Sequence, residues 1–462
     1  MIETVDAIVV GAGQAGPSLA VRLAKAGRRV VLIEKERLGG TCVNNGCIPT
    51  KTLIASARAA HVARHAAQFG VGTGPVTVDL AAIKARKDAV VQQSRDGLAA
   101  WIEQTTNLEF VLGEGRFVGQ RAIAVGGRVF EAPIVAINTG GYPVRPDWPG
   151  IDPRRLLTNI EMMEQARLPR HLIVVGGSYI GLEFAQMYRR FGAEVTVLEA
   201  ADRIIAREDE DVSAAVQAML EGEGIEIHVG CRDIIGADHG NGVAVRWQTG
   251  AGAGRAEGDL ALASLGRRPN VAALDLAKAG VALDARGFIQ VDGRLRTTAE
   301  GVYALGDVNG RGAFTHTSYN DFEVLAANLI DGEEQDIDHR LFGYALFTDP
   351  PLARVGMTDR DALQSGRPIM RAQLPMTRVG RARERGETNG FLRVLVDANT
   401  ERLVGATLLG IEADEILHLF ILAMNAGLSY KALMRAVPVH PTVSELIPTL
   451  LSGLKLIGEP TG

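Results

Sequence analysis

One glycine-containing pattern occurs twice in this chain, and no other feature constrains its fold more strongly. The first copy occupies residues 9–35 and the second occupies residues 174–200, at a constant offset of 165 residues. Each copy is an apolar run, a glycine turn, a helical stretch and a second apolar run that ends near a glutamate. Strand, turn, helix and strand in this order form a βαβ unit with parallel strands. The chain is therefore predicted to contain two α/β units.

The glycine spacing in both copies fits a dinucleotide-binding turn. The first glycine permits the tight turn, the second lets a pyrophosphate approach the backbone, and the third lets the helix pack against the strand. The helix start then offers free N–H groups to the phosphates. A single pattern of this kind also fits an ordinary glycine-rich turn, but two copies favour two nucleotide sites. The predicted turn residues are Gly11, Gly13 and Gly16 in the first copy and Gly176 and Gly181 in the second, where Ser178 replaces the middle glycine.

An acidic residue follows each glycine turn at the same distance. Glu34 and Glu199 each lie 18 residues after the last glycine of their copy. A carboxylate there is expected to accept hydrogen bonds from ribose hydroxyls. Glu199 favours NAD over NADP, because a 2′-phosphate would meet its negative charge. Arg203 and Arg207 lie nearby and weaken this preference.

Two cysteines, Cys42 and Cys47, lie close together between the copies. Pro49 suits a first helical turn, and residues 50–65 have a helical composition. Cys47 is therefore predicted at a helix N-terminus, where the dipole stabilises a thiolate. Cys42 is predicted in the preceding loop, near enough in sequence to form a disulfide with Cys47.

Alternative interpretations of the pair are a zinc half-site and two buried thiols. Zinc would need two more Cys or His ligands at suitable spacing. The third cysteine, Cys231, stands alone after the apolar run 225–229 and is predicted to be a buried structural thiol. No metal site is predicted.

Composition excludes several function classes. Of 462 residues, 47% are apolar and 22% charged, and the net charge of −5 comes without a block of like charge. We therefore expect no nucleic-acid partner and no membrane association. No signal segment is apparent, and three cysteines are too few for a secreted disulfide scaffold, so we expect a reducing, cytoplasmic location.

The cysteine segment resembles the active-site signature of the class I pyridine nucleotide-disulfide oxidoreductases, a family that includes dihydrolipoamide dehydrogenase, glutathione reductase and mercuric reductase. The resemblance extends over nearly the whole chain. It implies two Rossmann-like dinucleotide-binding domains, for FAD and NAD(P), and a C-terminal α+β dimerisation domain. The matching segments are both glycine turns, residues 40–51, 139–140, 266–270, 304–307 and 440–445.

The resemblance implies roles for individual residues. Cys47 would face the flavin, Cys42 would attack the substrate, and Lys51 would pair with Glu183 beside the flavin. Tyr179 resembles the tyrosine that covers the flavin in glutathione reductases until nicotinamide enters. The implied FAD contacts are Gly11, Gly13, Gly16, Glu34, Thr41, Lys51, Thr139, Gly140, Asp307 and Thr315, with His316 close by. The implied NAD(P) contacts are Gly176, Tyr179, Gly181, Glu199 and Gly266.

A histidine and a glutamate near the C-terminus form a candidate acid–base pair. Thiol chemistry needs a proton donor and acceptor near neutral pH, and His440 is suited to this task. Glu445, five residues later, is placed to fix the tautomer of its ring. The resemblance implies that this pair completes the active site of the other subunit, so we expect a homodimer.

The predicted domain order returns to the FAD domain after the NAD(P) domain. The boundaries are 1–147 for the first part of the FAD domain, 148–268 for the NAD(P) domain, 269–338 for the second FAD part and 339–462 for the dimerisation domain. The segments 147–150 and 349–351 are predicted to be linkers.

The sequence says less about the substrate. Vicinal cysteines near the C-terminus, usual in mercuric reductases, are absent, since no cysteine follows Cys231. The segments 48–53, 347–352 and 354–358 resemble the mercuric-reductase-like and reactive-chlorine-stress branch, which implies a small disulfide or oxidant as substrate. Dihydrolipoamide dehydrogenase is the alternative, supported by His440, Glu445 and Glu199. A flavin NADH oxidase and a redox sensor without disulfide turnover remain as alternatives of another class.

Overall fold

The computed structural model describes residues 1–457, so the last five residues of the predicted dimerisation domain lie outside it. Its strands are β1 Ile2–Thr4, β2 Ala7–Val10, β3 Val30–Glu34, β4 Leu108–Leu112, β5 Arg116–Gly119, β6 Ala122–Val125, β7 Arg128–Glu131, β8 Ile134–Ile137, β9 Gly141–Pro143, β10 Leu156–Leu157, β11 His171–Val175, β12 Glu194–Leu198, β13 Glu226–His228, β14 Arg232–His239, β15 Gly242–Thr249, β16 Gly252–Gly258, β17 Leu260–Ala263, β18 Arg267–Pro269, β19 Val302–Ala304, β20 Gly343–Leu346, β21 Leu352–Gly356, β22 Ile369–Pro375, β23 Phe391–Asp397, β24 Leu403–Leu409 and β25 Lys455–Leu456.

The α-helices are α1 Gly16–Lys25, α2 Gly40–Asn45, α3 Cys47–His65, α4 Leu80–Glu103, α5 Asn159–Met162, α6 Tyr179–Phe191, α7 Glu210–Gly222, α8 Thr315–Ala326, α9 Asp359–Gln364, α10 Gly380–Glu384, α11 Ala413–Asn425, α12 Tyr430–Met434 and α13 Ile447–Ser452. No helix in this part of the chain is long and apolar enough to cross a membrane.

Two parallel sheets carry the two copies of the repeat. The first has the order β19-β8-β2-β3-β4 and the second the order β10-β17-β11-β12-β13. Their central strands β2 and β11 are buried, apart from the partly exposed His171 at the start of β11, as expected for parallel strands covered on both faces. Strand β19 joins the first sheet from far along the chain, since Val302 pairs with Val135. The chain therefore leaves the first sheet and returns to it, in the order that the sequence predicted.

The C-terminal region forms an antiparallel sheet of order β20-β21-β24-β23-β22-β25. Helix α11 and the short α13 pack on it around Phe420, Leu408 and Leu450, which are almost fully buried. The predicted fold class, two Rossmann-like units and an α+β domain, is confirmed. The domain boundaries themselves stay a prediction.

The second predicted linker is wrong. Residues 349–351 form the turn between the antiparallel strands β20 and β21, inside the last sheet. The side chain of Asp349 forms ion pairs with Arg58 of α3 and Arg190 of α6. This turn therefore joins three parts of the chain tightly and is not a flexible connection.

Candidate active site

The first glycine turn leads from β2 into α1, and its glycines are required by close contacts. A Cβ on Gly11, which has φ +105°, would lie 2.3 Å from the Asn138 carbonyl oxygen, and a Cβ on Gly16 would lie 2.0 Å from the Gly11 oxygen. The Asn138 side chain accepts a hydrogen bond from the Gly16 N–H at 2.9 Å. Glu34, at the end of β3, accepts one from the Ala12 N–H at 2.8 Å. The side chains of Asn138 and Glu34 thus fix the backbone of the turn from two sides.

The second turn, between β11 and α6, repeats this construction. A Cβ on Gly176, which has φ +112°, would lie 2.5 Å from the Ser264 oxygen, and one on Gly181 would lie 2.0 Å from the Gly176 oxygen. The carboxylate of Glu199 accepts hydrogen bonds from the Gly177 N–H at 2.6 Å and the Ala201 N–H at 2.8 Å. Ser178 is exposed, so its side chain does not narrow the approach to the backbone. Gly266 lies two residues beyond Ser264 and is exposed.

The two candidate redox thiols lie on consecutive helices. Cys47 is the first residue of α3 and is exposed, in agreement with its predicted position at a helix start. Cys42 is half-buried and lies within the short helix α2, so its predicted place in a loop is wrong. The amide of Asn44 donates hydrogen bonds to the carbonyls of Leu38 and Gly40, which stabilise this short helix. Both cysteines are free thiols in the structure.

The surroundings of Cys47 favour its thiolate. A hydrogen bond from the Cys42 thiol is the largest cause that lowers the pKa of Cys47 to about 6, and Thr315 and the Lys51 charge lower it further. The Thr315 hydroxyl, at the start of α8, lies 3.2 Å from the Cys47 sulfur. The same contact with Cys47, together with burial, raises the pKa of Cys42 above the ordinary range. Near pH 7, Cys47 is therefore present as the thiolate and Cys42 carries the proton.

An ion pair lies one helical turn beyond Cys47. The Lys51 ammonium lies 2.9 Å and 3.0 Å from the two carboxylate oxygens of Glu183 on α6. The Phe347 N–H also donates to Glu183 at 3.0 Å, and the Lys51 ammonium lies 4.5 Å from the centre of the Phe347 ring. The predicted pair is thus formed, between α3 and the helix α6 of the second repeat. It places a positive charge beside Cys47.

The predicted FAD contacts lie around the same centre. Asp307 is half-buried, and burial raises the pKa of its carboxyl. Within residues 1–457 its nearest cation is Arg267, with Nε at 3.7 Å, and Arg267 also donates to the Thr41 hydroxyl at 3.1 Å. The Thr139 hydroxyl donates to the Asn270 carbonyl at 2.7 Å and precedes Gly140, which has φ +65°. These contacts bring both parts of the predicted FAD domain together.

The donor set fits FAD. The glycine turn at Gly11 and Gly16 leaves no room for side chains where the chain enters α1, as a pyrophosphate that approaches the backbone requires. A Cβ on Gly40 would lie 2.6 Å from the Gly13 Cα, so the cysteine segment approaches the same turn at backbone distance. Asp307 accepts no hydrogen bond from another side chain in the described part of the chain, so its carboxylate is available to hydroxyl groups.

The tyrosine at the start of α6, Tyr179, is fixed by a hydrogen bond from its hydroxyl group. The Tyr179 hydroxyl donates a 2.7 Å hydrogen bond to Glu208, which is fully buried. Tyr344 of β20 donates to the same carboxylate, and the Arg354 Nε lies 2.9 Å from its second oxygen. Nothing in the sequence pattern indicated Glu208, Tyr344 or Arg354.

His440 and Glu445 form the predicted pair, because the His440 Nδ1 lies 2.8 Å from a Glu445 oxygen. The histidine side chain is 82% exposed, and no hydrogen bond or ion pair in the described residues joins it to Cys42 or Cys47. The pair is therefore assembled but does not contact the thiols of its own chain.

The remaining predicted residues have clear places. The His316 Nε2 lies 2.7 Å from the Gly343 oxygen, and burial lowers the pKa of this histidine. Cys231 is 1% exposed, as predicted for a structural thiol. Sequence reasoning missed Asn138 and Arg267, although Arg267 directly follows the predicted Gly266. The described residues contain no cluster of three or more His, Cys, Asp or Glu side chains placed to hold a metal ion.

The profile of the family described as "Pyridine nucleotide-disulphide oxidoreductase" matches residues 5–321, and that of its dimerisation domain matches residues 343–451. The second match supports a homodimer. The probable pyridine nucleotide-disulfide oxidoreductase RclA of Escherichia coli is 36% identical over 97% of this chain and 99% of its own. The dihydrolipoyl dehydrogenase of Thermus scotoductus is 34% identical over 96% of both chains.

Solved structures agree with these sequence matches. The HOCl-induced flavoprotein disulfide reductase RclA from Escherichia coli superposes with a TM-score of 0.88, at 35% identity, over 97% of this chain and 99% of that one. Its Cu(II) complex gives a TM-score of 0.89 at 34% identity, with the same coverage. The chain therefore belongs to the FAD-dependent pyridine nucleotide-disulphide oxidoreductases.

Proposed function

We propose that this enzyme is an NADH-dependent reductase that passes electrons through Cys42 and Cys47 to a small disulfide or oxidant. One observation carries the proposal: Cys47 starts a helix beside Thr315 and Lys51, and Cys42 follows the glycine segment just before it. The pair thus combines a stabilised thiolate with a protonated partner. A flavin NADH oxidase of the alternative class needs only one redox cysteine, so a pair favours the disulfide reductase.

Reduction of a substrate disulfide by the cysteine pair transfers two electrons from the protein to the substrate. The Cys42 thiol gives its proton to a base, proposed to be His440 of a second copy, and the resulting thiolate attacks one sulfur of the substrate disulfide, so that the first substrate thiolate leaves. The Cys47 thiolate then attacks Cys42, which forms the Cys42–Cys47 disulfide and releases the second thiolate. Both leaving groups take up protons, and the protein has given two electrons.

Bound FAD supplies the two-electron connection between nicotinamide and the cysteine pair. The residues proposed to hold it are those of the first glycine turn with Glu34, Thr41, Thr139, Gly140, Asp307 and Thr315. The Lys51 ammonium is held by Glu183 and is proposed to lie beside the bound flavin, where negative charge would accumulate on reduction. That placement is electrostatic stabilisation by a preorganised group.

The second glycine turn is proposed to bind the nicotinamide nucleotide, with NADH preferred over NADPH. The carboxylate of Glu199 is fixed against the turn by two backbone N–H groups, at the position of a ribose. Arg203 is already engaged with the Ala206 carbonyl at 3.2 Å, and Arg207 is exposed. The 2′-phosphate of NADPH would thus lie against the carboxylate of Glu199, whereas Arg203 is already hydrogen-bonded elsewhere.

The proton donor is proposed to come from a second copy of the chain. His440 is exposed and oriented by Glu445, and it does not contact the thiols of its own chain. A homodimer that brings His440 to the cysteine pair of its partner would place an imidazole there, a group that can both donate and accept a proton. This arrangement would make the dimer the catalytic unit.

A small oxidant or small disulfide is favoured as acceptor, because the protein resembles RclA, which is described as HOCl-induced and as binding Cu(II). Dihydrolipoamide dehydrogenase is the second candidate, supported by the His440–Glu445 pair and by relatives of that name. The two candidates differ in the substrate and share the cysteine chemistry.

Steady-state kinetics of the holoenzyme tests the proposal. NADH oxidation is measured with a panel of small disulfides, hypochlorite-derived oxidants and Cu(II), beside NAD-linked oxidation of dihydrolipoamide. Fast turnover with a panel member, lost in Cys42→Ser while NADH still bleaches the flavin, is the expected result. Fast dihydrolipoamide turnover alone would instead assign the second candidate. Activity that survives Cys42→Ser would refute the role of the pair, and Cys231→Ser is the control.

A further inference from the structure

The helix that carries Cys42 is too short to be stable by itself. Helix α2 has six residues, Gly40–Asn45, and no side chain caps its N-terminus. So short a helix depends on contacts with its surroundings, because it forms too few backbone hydrogen bonds to offset the cost of nucleation. The position of the Cys42 sulfur therefore depends on the residues that hold α2.

An asparagine near the end of α2 connects this helix to a second one. The Asn44 Nδ2 donates to the Gly40 carbonyl at 2.8 Å and to the Leu38 carbonyl at 2.9 Å. The Asn44 Oδ1 accepts a hydrogen bond of 2.6 Å from the Nε of Arg95, on α4. The asparagine side chain thus links the start of α2 to a residue 51 positions away in the chain.

Arg95 determines which way round the Asn44 amide lies. A guanidinium group only donates hydrogen bonds, and a backbone carbonyl oxygen only accepts them. The opposite orientation would place the amide NH₂ group against Arg95 and the amide oxygen against two carbonyls. Of the two side-chain hydrogen bonds that Arg95 donates within residues 1–457, the one to Asn44 is the shorter, since Gln92 lies at 3.5 Å. Arg95 and Asn44 therefore act as one unit.

Helix α2 also sets the contact between the two thiols. Cys42 lies two positions before Asn44, and its thiol donates to Cys47, the first residue of α3. The far end of α2 is held by Asn159, which is 5% exposed and donates to the Asn45 carbonyl at 2.8 Å. Fraying or rotation of α2 would move the Cys42 sulfur and leave Cys47 in place on its longer helix.

We infer that Arg95 is a positioning residue for the redox pair: through the Asn44 amide, it holds α2 in the orientation in which the Cys42 thiol meets the Cys47 sulfur. In the described residues, the side chain of Arg95 donates to Asn44 and Gln92 and to neither cysteine. The inference rests on the proposed function only in that Cys42 and Cys47 form the redox pair. It is independent of the nicotinamide nucleotide and of the acceptor.

The titration of Cys47 reports on the position of Cys42. The hydrogen bond from Cys42 is the largest cause that lowers the pKa of Cys47, and Lys51 on α3 lowers this pKa further, whereas Glu183 on α6 raises it. Arg267, beside the Thr41 hydroxyl, also faces Cys47. These charged groups stay unchanged when α2 is loosened, so a weaker Cys42 contact appears as a higher pKa of Cys47.

The test is the pH dependence of Cys47 alkylation by iodoacetamide in the reduced, FAD-loaded protein, with the label assigned by fragmentation of the tryptic peptide 38–51. Arg95→Met removes the guanidinium, and Asn44→Ala removes its partner without a change of charge. Each should raise the midpoint by about one pH unit, which slows alkylation about threefold at pH ~6.5. Because both changes break one linkage, the double variant should shift no further than Asn44→Ala.

A second measurement needs no probe at Cys47. Two electrons pass between the cysteine pair and dithiothreitol, and the ratio of disulfide to dithiol in the protein is read at equilibrium. A thiolate with a higher pKa favours the disulfide, so Arg95→Met and Asn44→Ala should shift this equilibrium toward the disulfide about fivefold at pH ~7.

Arg86→Met is the matched control. Arg86 lies on the same helix as Arg95 and donates to the Thr52 carbonyl at 2.9 Å and to the Ser56 hydroxyl at 3.3 Å, so it contacts α3 and not α2. Its loss removes the same charge, and the midpoint should stay within about 0.3 units of the parent value. Arg95→Lys keeps a charge and a donor, and its midpoint should lie between those of the parent and Arg95→Met.

Three results would overturn the inference: an unchanged midpoint in Arg95→Met, an equal rise in Arg86→Met, or a rise in Arg95→Met without one in Asn44→Ala, which would show an effect of charge that bypasses α2. If Asn44→Ala does not fold, Arg95→Met and Arg95→Lys decide together. Failure of the proposed function appears elsewhere, as absent turnover with every acceptor in the panel, and leaves these midpoints unaffected.

Discussion

Replacement of Cys42 by alanine should raise the pKa of Cys47. The hydrogen bond from the Cys42 thiol is the largest of the contributions that bring the pKa of Cys47 to about 6. A hydrogen bond to a charged sulfur is worth ~1.5–3 kcal/mol, and one pKa unit corresponds to ~1.36 kcal/mol. We therefore expect the pKa of Cys47 to rise by ~1–2 units in Cys42→Ala.

The change is large at mildly acidic pH. At pH ~6.5, a thiol of pKa ~6 is about three-quarters thiolate, whereas one of pKa ~7.5 is about one-tenth thiolate. Alkylation of Cys47 by iodoacetamide at that pH should thus slow about eightfold, because the thiolate is the reacting form. The assay is the pH dependence of the alkylation rate, followed by the mass of the Cys47 peptide.

Serine provides the comparison that isolates the hydrogen bond. Cys42→Ser keeps an O–H donor at the same place, so its midpoint should lie between the parent and Cys42→Ala values. Cys231 is 1% exposed and should not react, which keeps the background low. Equal midpoints in the serine and alanine variants, or a parent midpoint near that of an ordinary thiol, ~8.5, would refute the reasoning.

Three further predictions concern charge. Lys51→Met should lower the free energy of unfolding, measured by urea titration, by ~1–3 kcal/mol, because Glu183 is only 7% exposed and loses its cation. Lys431 pairs with Glu401 at the surface, so Lys431→Met should change the free energy of unfolding by less than ~0.5 kcal/mol. Burial works to raise the pKa of Asp349, but Arg190 and Arg58 outweigh it and hold the pKa below its ordinary value. The contribution of Asp349 to the free energy of unfolding is therefore present above pH ~4 and is lost on further acidification. Asp349→Asn should flatten that part of the stability–pH curve. His440→Gln should slow acceptor turnover about a hundredfold and leave flavin bleaching by NADH intact in stopped flow.

The repeated unit could be predicted because its constraints are local. Gly11 and Gly176 have positive φ and leave no space for a Cβ, so the residue type itself encodes the turn. The spacing to Glu34 and Glu199 follows from the length of one helix and one strand. Local geometry that only one residue type satisfies leaves a readable pattern in the sequence.

The errors arose where distant residues decide the conformation. The prolines at 350 and 351 led to the prediction of a linker at 349–351, but Asp349 pairs with Arg58 and Arg190, which lie 291 and 159 positions away in the chain. Cys42 lies in a helix of only six residues, without an N-terminal side-chain cap to announce it. Such short helices are stabilised by their tertiary surroundings, which composition does not encode.

The buried carboxylate of Glu208, which Tyr179, Tyr344 and Arg354 contact, shows the same limit. Glu208 lies 29 residues from Tyr179 and 136 from Tyr344, and no spacing rule connects three such positions. A buried carboxylate without partners would cost several kcal/mol, so its burial requires the arginine and the two phenols together. The last sheet supplies Tyr344 to this carboxylate and the turn after that strand supplies the Phe347 N–H to Glu183, so both carboxylates, Glu208 beside α6 and Glu183 on α6, have a partner from this sheet. The region matched by the dimerisation-domain profile therefore also supplies contacts to the two carboxylates at α6.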